Sequence, residues 1–270
     1  MRKQLSFNLP QIGLGTWELR GRECTKVVTE ALDIGYRHID TSHDYENHKA
    51  IAKAIADVDR SKLFITSKIE LEQVNKRSVQ TSVVHACDLA LKELDTDYLD
   101  LYLIHWPDRA YPLSEILHSM QELVTKGKIL RAGVSNFTIH HLEDLKRDGL
   151  TPFANQVEFH PYLYQKELLD YCRKHNITLI AYRPFGKGKI LHEPLFAKIG
   201  KAHKKSPSQV ILRWLIQQEI ATIPKGSSPK HLRENFEIFD FSLNASEMKE
   251  IDALNKNERF CMPEEPEFNY

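Results

Sequence analysis

The sequence lacks the cysteine patterns that identify whole classes of protein. Its four cysteines, Cys24, Cys87, Cys172 and Cys261, lie far apart, and none stands in C-x-x-C spacing. Such spacing indicates neither a zinc site nor a disulfide framework. We therefore interpret the four side chains as reduced thiols without a catalytic role.

Net charge and long apolar runs are also missing. The 37 basic and 37 acidic side chains balance, which leaves no electrostatic footprint for nucleic acid. No apolar run approaches the roughly 20 residues of a membrane span, and the N-terminal MRKQLSFNLPQIG lacks the apolar centre of a signal peptide. We expect a cytoplasmic protein with neither a membrane nor a nucleic-acid partner.

The glycine fingerprint of an open dinucleotide-binding sheet, G-x-G-x-x-G, is absent. The pair Gly13 and Gly15 is followed by Thr16 and Trp17, without a third glycine. Metal-ligand spacing is absent as well, since His38 and His160 belong to neither H-x-H nor H-E-x-x-H. We predict no metal, and any dinucleotide must be bound in another way.

The chain instead shows a regular alternation of short apolar runs and longer helical patterns. The runs are YRHID, LFITSK, YLDLYLIH, ILRAGVSN, FANQVEF, ITLIAY, ATIPK and, most weakly, EIFDFSL. Eight strands alternating with helices predict an α/β fold of the (β/α)8 TIM barrel type, and 270 residues suit a barrel of roughly 250. We expect one domain, residues 1–270, with an N-terminal β-hairpin in QLSFNLPQIGLG and a short C-terminal tail across a barrel end. The segment Ser206 to Gln218 predicts a capped helix that buries Trp214.

Polar side chains gather where the predicted strands end. They are Asp40, Lys68, His105, Ser135, Asn136, Gln156, Glu158 and Tyr182. Each has an ordinary structural interpretation: Asp40 could cap a helix, and Lys68 and His105 could be solvated or paired residues of the rim. Barrel geometry, however, brings all strand ends to one mouth, where barrel enzymes place their chemistry.

Three of these residues and the nearby Tyr45 suit carbonyl reduction. A phenol is a weak acid, but an adjacent ammonium stabilises its phenolate, and a carboxylate keeps that ammonium charged. We expect Lys68 to lower the pKa of Tyr45 in this way, with Asp40 behind Lys68. His105 can donate to a carbonyl oxygen. The hydride must come from a nicotinamide, because no side chain supplies one.

The ordered motifs resemble the aldo-keto reductase superfamily over essentially the whole chain. They are GYRHIDTSHDYEN, ITSK, LYLIHWP, GVSNF, NQVEFHPY and IPKGSSPKHLRENF. The resemblance implies an NAD(P)H-dependent oxidoreductase with Asp40, Tyr45, Lys68 and His105 as catalytic residues. Tyr45 would be the proton donor, and His43 and Asp44 would have no catalytic duty. In length and short loops the chain is similar to small bacterial reductases of the 2,5-diketo-D-gluconate reductase B and methylglyoxal reductase type.

The resemblance also implies an extended NADP(H) across the barrel mouth. Its contacts would be Thr16, Asp40, Ser135, Asn136, Gln156, Tyr182, Arg183, Phe185, Gly186, Lys187, Gly188, Lys225, Gly226, Ser227, His231, Glu234 and Asn235. The substrate pocket would include Trp17, Tyr45, Glu70, His105 and Trp106. The expected substrates are small polar carbonyl compounds, and the protein is expected to be a monomer.

Three positions depart from the family pattern. Gly226 and His231 stand where many members carry serine and arginine, so use of NAD(H) stays open; NADP(H) is favoured because Lys225 remains and no acidic residue is evident there. Arg183, often serine, would contact the pyrophosphate or the substrate. Glu70, often tryptophan, would either face solvent or form an anionic pocket wall.

Two other functions stay open at this point. A barrel aldolase would use Lys68 as a Schiff-base nucleophile. A regulatory subunit of the same fold would bind NADP with little turnover, and fold alone does not decide between these functions.

Overall fold

Eight parallel strands form one sheet in the computed structural model, which describes residues 9–262 and 264–270. Each strand is hydrogen-bonded to the next strand along the chain. The strands are β1 (Leu14–Gly15), β2 (His38–Asp40), β3 (Phe64–Ile69), β4 (Leu101–Ile104), β5 (Ala132–Ser135), β6 (Ala154–Glu158), β7 (Thr178–Tyr182) and β8 (Ala221–Thr222).

Contacts between the first and last strands close the sheet. Ile12, just before β1, forms a parallel bridge with Thr222 of β8. The Gly13 N–H donates to the Thr222 carbonyl, and the Thr222 N–H donates to the Gln11 carbonyl, both at 2.9 Å. The sheet therefore curls into the expected barrel.

Helices alternate with the strands and cover the outside of the sheet. They are α1 (Gly21–Ile34), α2 (His48–Ile55), α3 (Val79–Leu94), α4 (Leu113–Thr125), α5 (Ile139–Arg147), α6 (Lys166–Lys174), α7 (Pro194–His203), α8 (Pro207–Gln217), α9 (Pro229–Phe236) and α10 (Ala245–Asp252). Helix α8 confirms the predicted capped helix, since Ser206 accepts a hydrogen bond from the Gln209 N–H at 3.3 Å. Trp214 is fully buried and donates to Asp252 at 2.7 Å.

Two apolar clusters lie on opposite faces of the sheet. Leu101 and Leu103 of β4 belong to a small cluster inside the barrel, whereas Tyr102 and Ile104 belong to the large cluster under the helices. This two-residue alternation is the ordinary strand period. It determines which side chains point into the barrel and, at the ends of the strands, into its mouth.

Two sequence-based assignments need correction. The segment EIFDFSL, residues 237–243, is not a strand, and the eighth strand is β1 at the other end of the chain. The predicted hairpin lies partly in residues 1–8, outside the described residues, and its last residues, Leu14–Gly15, pair in parallel with β2 instead. A two-residue strand carries too little alternation to be recognised from sequence.

The C-terminal tail crosses the mouth of the barrel, as expected. The backbone N–H groups of Phe260 and Cys261 donate to the Glu158 carboxylate at the end of β6, at 3.0 and 2.9 Å. Further on, the Phe268 ring lies 5.8 Å from the Trp106 ring. Among the helices of the described residues, none is long and apolar enough to cross a membrane.

Candidate active site

The strand period brings ionisable side chains to the carboxyl ends of neighbouring strands. Phe64 of β3 faces the barrel interior. Because alternate residues of a strand face the same side, Thr66 and Lys68 face inward as well. On β4 the same parity carries from Leu103 to His105, just after the strand. The carboxyl ends of parallel strands lie on one side of a barrel, where these side chains meet.

A buried ion pair forms the base of the site. The Lys68 ammonium donates to Asp40 Oδ1 at 2.7 Å and to the Thr41 carbonyl at 2.8 Å, and the Lys68 and Asp40 side chains are 1% and 2% exposed. The second Asp40 oxygen accepts from the Gln156 amide at 2.6 Å. Burial by itself lowers the pKa of Lys68, but Asp40 and Tyr45 outweigh it and hold the pKa above its usual value. Lys68 is therefore a charged ammonium.

Tyr45 ends a short 3₁₀ helix, His43–Tyr45, in the loop after β2. The Lys68 ammonium lies 3.4 Å from its hydroxyl oxygen. Burial nevertheless raises the pKa of Tyr45 to about 12, because desolvation of the phenolate exceeds the stabilisation from Lys68. The expectation of a lowered pKa is thus wrong. Tyr45 is a neutral phenol, the form that can donate a proton.

Glu70 lies beside His105 and does not line the cavity. His105 Nδ1 is 2.6 and 2.8 Å from the two Glu70 carboxylate oxygens, and Ser42 donates to the same carboxylate. Burial by itself raises the pKa of Glu70, but the contacts with His105 and Ser42 lower it overall. Both sequence-based interpretations of Glu70, a solvent-facing residue and a pocket wall, are therefore wrong. The sequence could not indicate this contact, because it depends on the register of two strands.

Hydrogen bonds also connect the polar residues on the opposite side of the mouth. Ser135 donates to the Gln156 carbonyl at 2.8 Å, and Tyr182 donates to Asn136 Oδ1 at 2.7 Å. The Asn136 amide in turn donates to the His105 carbonyl at 3.0 Å. Asn136 adopts a left-handed backbone, with φ of 65°, which asparagine tolerates better than most residues. These hydrogen bonds fix the positions of the side chains relative to one another.

A cavity of about 280 Å³ opens above these residues. It is lined by Gly15, Thr16, Trp17, Asp40, Asp44, Tyr45, His105, Trp106, Ser135, Asn136, Gln156, Tyr182, Arg183, Ile223, Lys225, Cys261 and Met262. Sequence reasoning missed Gly15, Ile223 and Met262, set aside Asp44 as a loop residue and interpreted Cys261 as a bystander. The Cys261 thiol is free, and burial raises its pKa. Only the path of the C-terminal tail could have revealed that Cys261 lines the cavity.

A second cavity, of about 250 Å³, shares Lys225 with the first. It is lined by Phe185, Leu191, Pro207, Ser208, Lys225, His231, Glu234 and Asn235. Five of these were expected to contact a cofactor. The other residues expected in the site, Lys68, Glu70, Gly186, Lys187, Gly188, Gly226 and Ser227, line neither cavity. The structure thus brings the two expected ends of a cofactor site into neighbouring cavities.

Arg183 and Lys225 interact with residues of the loop after β1. The Arg183 guanidinium lies over the Trp17 ring, 4.6 Å from its centroid, and donates to the Phe260 carbonyl of the tail at 3.3 Å. Lys225 lies 3.5 Å from a carboxylate oxygen of Glu18. The expectation that no acidic residue stands near Lys225 is therefore wrong, because the loop after β1 supplies one from a distant part of the chain.

One group of possible metal ligands lies beside the Tyr45 loop. His43, His48 and Glu93 offer ligand atoms within 4.8 Å of one another. In the structure His48 is buried and bonded at both ring nitrogens, to Glu93 at 3.2 Å and to Ser67 at 3.0 Å. The expectation that no metal binds stays a prediction.

Comparison with known proteins identifies the family. Residues 11–256 match the model of the Aldo/keto reductase family. The chain is 43% identical over 255 residues to a glyoxal reductase of Bacillus subtilis, covering 93% of this chain and 91% of the relative. It is 38% identical over 261 residues to a 9,11-endoperoxide prostaglandin H2 reductase of Trypanosoma cruzi, covering 94% and 90%.

A solved structure shares the same architecture. An aldo-keto reductase from a Medee basin deep-sea metagenome library superposes with a TM-score of 0.89 at 37% identity, covering 95% of both chains. Fold, family model and named relatives agree with the carbonyl-reducing chemistry that the Asp40, Lys68, Tyr45 and His105 geometry suits. The chain belongs to the aldo/keto reductase family and is an oxidoreductase with the (β/α)8 fold of that family.

Proposed function

We propose that the protein reduces aldehyde or ketone groups of small polar compounds to alcohols with NADPH, and that Tyr45 donates the proton. The observation that carries this proposal is the chain of contacts from Asp40 through the Lys68 ammonium to the Tyr45 hydroxyl at 2.7 and 3.4 Å. It ends at a cavity that His105 also lines.

The four side chains divide the work of proton transfer. Tyr45 gives its hydroxyl proton to the substrate oxygen as negative charge develops there. Lys68 then stabilises the phenolate, and Asp40 keeps Lys68 charged and in place. His105 contacts the same oxygen and orients the carbonyl. A bound nicotinamide supplies the hydride.

The residues around the two cavities suit a phosphorylated dinucleotide. Asn136, Gln156 and Ser135 offer the amide and hydroxyl groups that recognise a carboxamide. Lys225 stands where the cavities meet, and His231 lies in the second one. A cation at that junction favours phosphate. Glu18, however, competes for Lys225 and could accept from a ribose hydroxyl, so both NADPH and NADH need testing.

The cavity favours small substrates. Its volume of about 280 Å³ lies just below the range of roughly 300–1,000 Å³ typical of ligand pockets. Its walls combine Trp17 and Trp106 with hydrogen-bonding groups. The similarity to a protein named glyoxal reductase points in the same direction. We therefore name methylglyoxal, aromatic aldehydes and keto-sugars as candidate substrates.

The test is the loss of NADPH absorbance with methylglyoxal, benzaldehyde and a diketo sugar acid, beside the same series with NADH. We expect oxidation of NADPH with at least one substrate. Tyr45→Phe should lower kcat at least 100-fold, because it removes the proton that is transferred to the substrate. It should leave NADPH binding unchanged, because the rest of the side chain stays.

Two variants separate the cofactors. Lys225→Met should weaken NADPH more than NADH, and Glu18→Gln should weaken NADH more than NADPH. Full activity of Tyr45→Phe would contradict the role of Tyr45. Binding of NADPH without oxidation by any carbonyl compound would favour the regulatory alternative.

A further inference from the structure

Glu70, Ser42 and His105 form a hydrogen-bonded group around Nδ1 of His105, and neither Glu70 nor Ser42 lines the cavity. The Glu70 carboxylate contacts His105 Nδ1 at 2.6 and 2.8 Å, and Ser42 Oγ lies 3.3 Å from the same nitrogen. Ser42 is fully buried and His105 is 8% exposed, so water does not compete freely for these contacts. The group joins the loop after β2 to the ends of β3 and β4.

The chemistry of the partners determines which ring nitrogen carries a proton. An ionised carboxylate only accepts hydrogen bonds, and the contacts around Glu70 lower its pKa, so it is ionised near neutral pH. Ser42 directs its own hydrogen to Glu70. Nδ1 must therefore be the donor, and Nε2 is the ring nitrogen left for the cavity.

We propose that Glu70 is a positioning residue that fixes His105 in the Nδ1–H form and turns Nε2 toward the substrate oxygen. This inference rests on the proposed reductase function for its catalytic meaning. The geometry of the contact stands without it. Ser42 assists by orienting the carboxylate.

The number of protons on the His105 ring affects the direction of the reaction. When Nδ1 holds one proton, Nε2 can donate to a carbonyl oxygen only if the ring carries a second proton. Reduction needs the imidazolium, whereas oxidation of the alcohol needs an empty Nε2. The titratable groups facing His105 are Glu70 from the end of β3 and Tyr45 from the loop after β2, with Lys68 behind Tyr45.

The same contact indicates why Glu70 cannot be exchanged freely. A glutamine at this position has the same length but presents an amide, which can donate to Nδ1 as well as accept from it. The ring can then adopt the other neutral tautomer, with its proton on Nε2. Aspartate still offers a carboxylate that only accepts from Nδ1, but its side chain is one methylene shorter, so keeping the contact draws the ring out of its wild-type position.

Nitrogen-15 NMR of histidine-labelled protein tests this proposal directly, because the two ring nitrogens report their protons separately. The His105 signals are assigned by their loss in His105→Gln. In the singly protonated ring of the wild type, we expect the proton on Nδ1. In Glu70→Gln we expect the proton on Nε2, or a mixture of both forms.

Kinetics provide the second measurement. Glu70→Gln should lower kcat for oxidation of the alcohol at least tenfold relative to kcat for reduction, because its Nε2–H ring can donate to a carbonyl oxygen but cannot accept from an alcohol. The KM for NADPH should change little, because Glu70 lines neither cavity. Its ratio of oxidation to reduction should depend on pH differently from that of the wild type. Glu72→Gln is the matched control, because Glu72 is exposed on the 3₁₀ helix that follows Glu70, Leu71–Gln73, and the substitution removes the same charge. The control should behave as the wild type.

The outcomes separate this inference from the reductase function. An unchanged His105 spectrum together with unchanged kcat in Glu70→Gln would overturn the role of Glu70. A wild type that reduces no carbonyl compound would overturn the reductase function, while the spectrum would still report the tautomer. If Glu70→Gln fails to fold, Glu70→Asp replaces it. That variant should keep the proton on Nδ1 and lose kcat, and wild-type kcat in it would count against the proposal.

Discussion

The buried pair of Asp40 and Lys68 allows a sharp prediction of stability. Lys68→Met removes the ammonium and leaves Asp40, 2% exposed, with the Gln156 amide as its remaining side-chain partner. Breaking a buried pair by removing one partner costs about 3–5 kcal/mol, because the other charge stays desolvated. For a chain of this size that corresponds to a fall in melting temperature of about 10 °C. Asp40→Asn should cost a similar amount.

The double variant tests whether the unpaired buried charge causes the loss of stability in each single variant. In Asp40→Asn combined with Lys68→Met neither charge remains, so the loss should be at least about 3 kcal/mol smaller than the sum of the two single losses. Urea unfolding at pH 7, with midpoint and slope both fitted, measures all four proteins. Lys166→Met, which breaks an exposed pair with Asp170, should leave the unfolding free energy unchanged. Additive losses, or single losses below about 1 kcal/mol, would refute a strongly coupled buried pair.

Three further predictions concern packing, pH and the tail. Gly133→Ala should destabilise the protein by about 1–3 kcal/mol in urea unfolding, because its Cβ would lie 2.9 Å from the Ala154 carbonyl oxygen; an unchanged midpoint would contradict this. His38 is fully buried, and burial lowers its pKa to about 4. The unfolded chain, with a histidine pKa of about 6.5, therefore binds more protons than the folded chain below that pH. The free energy of unfolding should fall by about 3 kcal/mol between about pH 6.5 and 4, and it should fall less steeply in His38→Asn. Glu158→Gln weakens the acceptor of the Cys261 N–H, so trypsin should cut the tail at least tenfold faster than in the wild type, without global unfolding by circular dichroism.

The alternation of strands and helices was readable because burial imposes it on the sequence. Leu101 and Leu103 must face the barrel interior and Tyr102 the helices, so the apolar run in β4 has a clear length and position. Trp214 was predictable for the same reason, since α8 must bury one face. Where an element is short, as in Leu14–Gly15, this signal disappears and the assignment failed.

Pairing between distant segments was not readable in the same way. Lys68 and Asp40 could be expected to meet because parallel strands place their carboxyl ends together. The contact of Glu70 with His105 depends on the register of β3 and β4 to within one residue, and a shift of one residue would turn either side chain to the other face.

The sequence by itself determined the class of fold, the family resemblance and the types of chemical group at the strand ends, because periodicity and composition are local properties. The tertiary structure decided which of these groups touch. It placed Glu18 beside Lys225, Cys261 in the cavity and Glu70 behind His105. It also decided that Tyr45 keeps its proton, because burial acts on the phenolate more strongly than the nearby ammonium does.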